Sequence, residues 1–284
     1  MSDAQQQTFN TPGPVRLRME FGGGNIRLSA EETTETTVEM RALRNSEEAE
    51  QLIRDSRIEQ RGDEVRVLVP PKIRGFFMRN PDIEATIVVP TGSELDIQMR
   101  SADLDARGTF GAAKVESGSG DVRFENTQDA RLQTGSGDVQ IETVEGQLKC
   151  ESGSGDVRVR LVSGNANVST GSGDIMIDQV TGDAQVRSGS GDLMLQEATG
   201  DVSASSASGD LHVGRVGAGR LSANTASGDI HVGVAAGTPT YLEVTTITGD
   251  VHSSLEGTDT PAEGEQTLTL RANSASGDIT LVHA

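Results

Sequence analysis

The chain of 284 residues contains 34 Gly, no Trp and 2% aromatic residues, so it lacks the bulky side chains that fill a thick globular core. A formal net charge of -19 argues against a nucleic-acid backbone or an anionic membrane as the default partner. Hydrophobic residues at 34%, regularly spaced, exclude a disordered chain, and Cys150 as the single cysteine excludes an intrachain disulfide and suits a reducing compartment.

Residues 1–14 are polar and lack the basic-then-apolar pattern of a secretory signal, and no run of about 18 apolar residues occurs. A disordered tail is expected there, with a cytoplasmic location and no membrane insertion. Residues 15–100 lack any repeated corner and are expected to form a β-rich capping segment, with strands at 15–21, 25–28, 36–43, 58–60, 65–69, 83–89 and 94–99. One helix is predicted over 46–55: Asn45 can cap it, Glu47 and Glu48 suit its positive end, and Ala49, Leu52 and Ile53 make an apolar stripe. Arg61-Gly62-Asp63 spells an integrin-recognition tripeptide, but Gly62-Asp63 stands between two strand-like runs and reads as a hairpin turn.

The stretch after this hairpin is the best candidate for partner binding. Lys72, Arg74 and Arg79 surround Phe76, Phe77 and Met78 in a Pro-bounded segment of an otherwise acidic, aromatic-poor chain. The competing reading is an apolar plug folded over the end of the repeats.

Residues 101–284 are repetitive. Corner aspartates fall at Asp103, Asp121, Asp138, Asp156, Asp174, Asp192, Asp210, Asp229, Asp250 and Asp278, with successive spacings of 18, 17, 18, 18, 18, 18, 19, 21 and 28. A weaker corner halfway through each coil, as at Gly164-Asn165 and Gly182-Asp183, leaves room for two strands per coil. Apolar residues one and three positions after each corner, such as Val157 and Val159 or Ile175 and Ile177, alternate with polar ones at the strand period. The fold class is therefore an all-β protein, a β-solenoid with coils of about 18 residues stacked at roughly 4.8 Å, behind a β-rich cap with one short helix. Cys150 takes an inward position. The last coil, which ends at Ala284, is expected to lie open, and 253–266 reads as an exposed loop.

Val89-Pro90-Thr91-Gly92-Ser93-Glu94-Leu95, followed by repeated Ser-Gly-Ser-Gly-Asp-Val and Thr-Gly-Asp segments, resembles the bacterial "putative adhesin" family of β-strand-repeat proteins of unknown function, also described as having a toastrack fold. The resemblance covers roughly residues 15–284. It implies a surface-adhesion role and supplies no catalytic residues.

The repeats themselves suggest little chemistry. The corner glycines fit positions of positive φ or close backbone approach, and the serines at the motif centre, among them Ser154 and Ser172, can bond within the turn. A phosphate-cradling loop would need a following helix, and strands follow instead. Calcium-binding β-rolls read G-G-x-G-x-D-x-U-x, whereas here Asp follows Gly directly and second corners carry Gln147, Asn165 or Arg220. His212, His231 and His252 stand two positions after a corner Asp, on the outward face of adjacent coils, so coils stacked in register would align them in a ladder able to share a transition metal. A plain polar ladder is the preferred reading, and no metal or cofactor site is assigned. With no recurring Cys–His constellation, the expectation is a non-enzymatic scaffold or binding protein. Its partner is a protein, or a second copy meeting it at the solenoid end. The alternatives are a self-assembling filament and a calcium-binding repeat protein.

Overall fold

The computed structural model of the protein describes residues 5–43, 46–70, 83–255 and 266–284, and within them the chain is all-β apart from one helix. It divides into two compact units, Met1–Glu142 and Thr143–Ala284.

In the first unit two long strands, β2 (Arg16–Glu31) and β7 (Glu94–Ser117), lie parallel and in register from Arg16↔Glu94 to Ser29↔Arg107. β8 (Val122–Thr134) continues the stack on β7. The other edge of β2 carries β5 (Glu64–Leu68) and β6 (Ile83–Pro90), both parallel to it. There the parallel pattern stops. β4 (Arg57–Arg61) is antiparallel to β5, β3 (Glu35–Ala42) is antiparallel to β6, and β1 (Gln5–Asn10) is antiparallel to β3. Residues 5–10, assigned to the tail on composition, thus form an outer strand.

Local chemistry explains the details of this cap. Gly62 sits at φ 63° in the β4–β5 hairpin, a left-handed turn conformation that glycine adopts without a Cβ clash. Helix α1 (Glu47–Asp55) buries Ala49, Leu52 and Ile53 as the stripe predicts, but its cap is Ser46, whose hydroxyl accepts the Ala49 N–H at 3.3 Å. Asn45 lies outside the described residues. Glu84 is buried on β6 and its carboxylate is held by Arg41 and, at 2.7 Å, by Arg27. Phe110 and Phe124 meet edge to face with centroids 6.0 Å apart, supplying bulk that no residue beyond Phe124 repeats in aromatic form except Tyr241.

β9 (Val139–Val144) leads into the second unit, where strands alternate between two parallel stacks. One stack holds β10 (Leu148–Ser152), β12 (Ala166–Thr170), β14 (Ala184–Ser188), β16 (Val202–Ser206) and β18 (Gly219–Ser227). The other holds β11 (Val157–Val162), β13 (Ile175–Val180), β15 (Leu193–Ala198), β17 (Leu211–Val216) and β19 (Ile230–Val234). Val157, Ile175, Leu193, Leu211 and Ile230 align as one buried row, and Cys150, Val168, Val186, Ala204 and Ala223 as another. Both rows are those read from the sequence.

The last two coils do not stack in chain order. β22 (Leu268–Ser276) pairs with β18 on one side and with β20 (Thr240–Thr248) on the other. β23 (Ile279–His283) likewise lies between β19 and β21 (Val251–Ser253). The final coil of the chain is therefore an inner rung and the coil before it is the outermost, which corrects the expectation of an open last coil. Burial gives the reason. The inward residues of the final coil are Leu268, Leu270, Ala272, Ile279 and Leu281, all at most 1% exposed, whereas the outer coil has Thr240, Leu242, Val244, Val251 and Ser253 at the corresponding positions, with Thr and Ser in place of two of the leucines. Placing the more apolar coil inside leaves less hydrocarbon in water.

Candidate functional site

The site residues predicted from sequence, Lys72, Arg74, Phe76, Phe77, Met78 and Arg79, lie outside the described residues. Pro70, which precedes that stretch, lines a cleft of about 610 Å³ in the first unit. Buried Phe21, Leu52, Val69 and Met99 give the cleft an apolar lining, and Glu20 and Arg100 bring charge to it.

Within each unit the corners form a hydrogen-bonded ladder. In the first unit the Asp103 carboxylate accepts the Asp121 N–H, and the Asp121 carboxylate accepts the Asp138 N–H, each at 3.0 Å. In the second unit the series runs from Asp156 through Asp174, Asp192, Asp210, Asp229 and Asp278 to Asp250, at 2.7–3.0 Å per step. Its final steps trace the same out-of-order stacking. The second corner repeats the device, with Asn165 accepting from Asp183, Asp183 from Asp201, and Asp201 from Arg220.

The hydroxyl that organises each corner is not the one at the motif centre. Ser154 and Ser172 are exposed, whereas Ser152 is buried, accepts the Gly155 N–H at 3.0 Å and donates to the Gly155 carbonyl at 3.0 Å. Thr170, Ser188 and Ser206 occupy the same place in later coils. The corner carboxylates thus hold backbone N–H groups, and among the described residues no group of three or more His, Cys, Asp and Glu side chains could hold a metal ion.

The histidine ladder is shorter than predicted. His212 and His231 stack with ring centroids 4.8 Å apart and planes 2° from parallel, but Thr280 of the inserted coil stands between His231 and His252. Burial, and next the neighbouring His231, hold the His212 imidazole below its ordinary value. Cys150 is fully buried, and burial pushes its thiol up to about 12, which keeps it protonated and unreactive.

The feature that sequence reasoning missed is the outer rung. Leu242 aligns with Leu270 and Leu221, and Val251 with Ile279 and Ile230, so both continue core rows. Leu242 is nevertheless 44% exposed and Val251 48%, with Tyr241 at 60% and Ile247 at 79% beside them. Among the described residues no strand pairs with the outer edge of β20 or β21. Among the described residues the core here ends in cross-section, along a strand edge that no other strand covers. Its only sequence signals are the Thr-rich run at 240–248 and the long spacing from Asp250 to Asp278.

Together these features define a class, the parallel two-stack β-solenoid with glycine and hydroxyl corners. The chain belongs to the Toastrack DUF4097 family, whose model matches residues 16–184 and again 146–282. No curated protein matches it in sequence. Solved structures similar to it include a putative adhesin from Parabacteroides merdae, at 11% identity and TM-score 0.46, with 98% of this chain and 95% of that chain covered. A putative adhesin from Bacteroides fragilis matches at 12% identity and TM-score 0.39, covering 99% and 97%. A putative lipid binding protein from Parabacteroides distasonis matches at 14% identity and TM-score 0.47, covering 98% and 96%. Among the described residues no helix is long and apolar enough to cross a membrane.

Proposed function

We propose that the protein is a non-enzymatic β-solenoid scaffold that binds a protein partner through the open rung of its second unit, the partner adding strands to β20 and β21. The observation that carries this reading is the concentration of Tyr241, Leu242, Ile247 and Val251, four of the six exposed large hydrophobic residues among those described, on one rung with an unpaired edge. Strand addition would pair the edge backbone groups and cover Leu242 and Val251 as an inner rung is covered. The Lys72–Arg79 stretch remains a second candidate contact, on the strength of its cations and aromatic residues.

Self-association is the second reading, favoured by the self-complementarity of two such rungs meeting across a two-fold axis. Tyr241→Ser combined with Ile247→Glu tests both. The double variant keeps the β spectrum and melting temperature but loses partner capture, and loses the concentration-dependent mass in sedimentation if the chain pairs. Binding and self-association both unchanged in a folded variant would overturn the assignment of this rung.

A further inference from the structure

We propose that an outward row on the second unit, Met176, Met194, His212 and His231, is a binding site for a soft monovalent cation of the copper(I) class, with Met194 and the two imidazoles as its ligands.

The row is set by register. Met176 pairs with Met194, Met194 with His212, and His212 with His231, so four consecutive strands, β13, β15, β17 and β19, each place one such side chain on the same outward face. All four residues stand two positions after a corner Asp, at Asp174, Asp192, Asp210 and Asp229. The comparable row on the opposite stack reads Lys149, Asn167, Gln185, Ser203 and Ser222, the ordinary content of a solvated strand face.

Methionine in this place has no packing explanation. Met19, Met40 and Met99 are buried in the first unit, whereas Met176 is 39% exposed and Met194 half-buried, although neither fills a core row. A thioether beside two imidazoles is a donor set of soft and borderline ligands, which selects copper(I) over calcium or magnesium. The row itself carries no oxygen ligand until Thr280 beyond His231, and the corner carboxylates two positions earlier on the same face each accept the backbone N–H of the next corner.

Adjacent strands hold the two imidazoles side by side with centroids 4.8 Å apart, but stacked, so that their in-plane lone pairs run parallel. Binding one ion at about 2.1 Å from each nitrogen therefore turns both rings about their side-chain torsions until the nitrogens converge, a rotamer change on the outward face of the strands. The residues two further along each strand are Gly214 and Gly233, which place no side chain over the imidazoles.

The test is competition for copper(I) between the full chain and a chromogenic copper(I) chelator under reducing conditions, with Ag(I) as a redox-inert probe followed by methionine methyl NMR. One equivalent of copper(I) is expected per chain, with Ag(I) shifting the Met194 methyl. Met176→Leu with Met194→Leu lowers copper(I) affinity by about tenfold or more while leaving any Zn(II) binding by the imidazoles unchanged. His212→Asn with His231→Asn abolishes the site. All four side chains point outward, so the variants stay folded by circular dichroism. Copper(I) uptake unchanged in the methionine variant, persisting in the histidine variant through Cys150 or elsewhere, or absent from the wild-type chain would each overturn the proposal.

Discussion

The Asp156 carboxylate accepts the Asp174 backbone N–H at 3.0 Å across one rung, a bond that neutral Asn165 makes equally well to Asp183 at 2.9 Å. Carboxylates stacked about 4.8 Å apart in water repel by roughly 0.9 kcal/mol. A hydrogen bond to a charged acceptor contributes about 1.5–3 kcal/mol and outweighs that repulsion. Asp156→Ala therefore lowers stability by about 1–2 kcal/mol, whereas Asp156→Asn, which keeps the acceptor and removes a like charge, stays within about 0.5 kcal/mol of wild type in denaturant titration. A divalent-cation chelator leaves the melting temperature unchanged; its collapse on chelation would make the ladder a cation site.

Close approach, rather than positive φ, fixes the glycine at many of these corners. A Cβ on Gly173 would fall 2.1 Å from the Gly155 carbonyl oxygen, and backbone on both sides prevents it from yielding. Gly173→Ala is expected to cost at least about 2 kcal/mol, against a change within about 0.5 kcal/mol for exposed Ser172→Ala. Equal melting temperatures for the two variants would contradict the tight stacking.

Cys150 reports on opening of its own rung. With the thiol buried and its pKa pushed up to about 12, native protein at neutral pH should resist alkylation, and labelling should rise only with denaturant in parallel with loss of the β spectrum. Rapid labelling of folded protein would place this residue outside the core.

The His212 environment gives stability a defined pH dependence. Its folded-state pKa lies below the ordinary 6.5, so an unfolded chain binds the proton first as the medium acidifies. The contribution is complete above pH 6.5 and is lost as pH falls toward the folded value. His212→Asn should flatten the melting-temperature profile below pH 6.5; a profile as steep as wild type would assign the effect to other groups.

The inner rows of Val157 and Cys150 were legible because side chains alternate with period two and coils repeat every 18 residues, so offset from the corner Asp determines which way a residue points. Stacking order was not, since a period fixes register within a rung and is silent on which rung lies beside which. The 28-residue spacing from Asp250 to Asp278 was the available signal, because a coil returning to an inner slot needs a longer connection. The corner hydroxyl was misassigned because Ser152 and Ser154 are chemically alike and only burial separates them. The outward row was half seen. The offset from the corner Asp places His212 and His231 together on the outward face, whereas Met176 and Met194 carry no signal of a site until register sets them beside the imidazoles.

The insertion of the final coil decides which rung is open, and double-cysteine cross-linking in a Cys150→Ala background tests it directly. His231 and Thr280 are register partners on adjacent strands, about 4.8 Å apart, whereas His231 and His252 are separated by a full rung, at about 9.6 Å. A disulfide needs Cα atoms within about 7 Å. His231→Cys with Thr280→Cys should therefore cross-link on oxidation, and His231→Cys with His252→Cys should remain reduced. Cross-linking of the second pair and not the first would mean that the coils stack in chain order, leaving Leu242 and Val251 covered and the binding rung elsewhere.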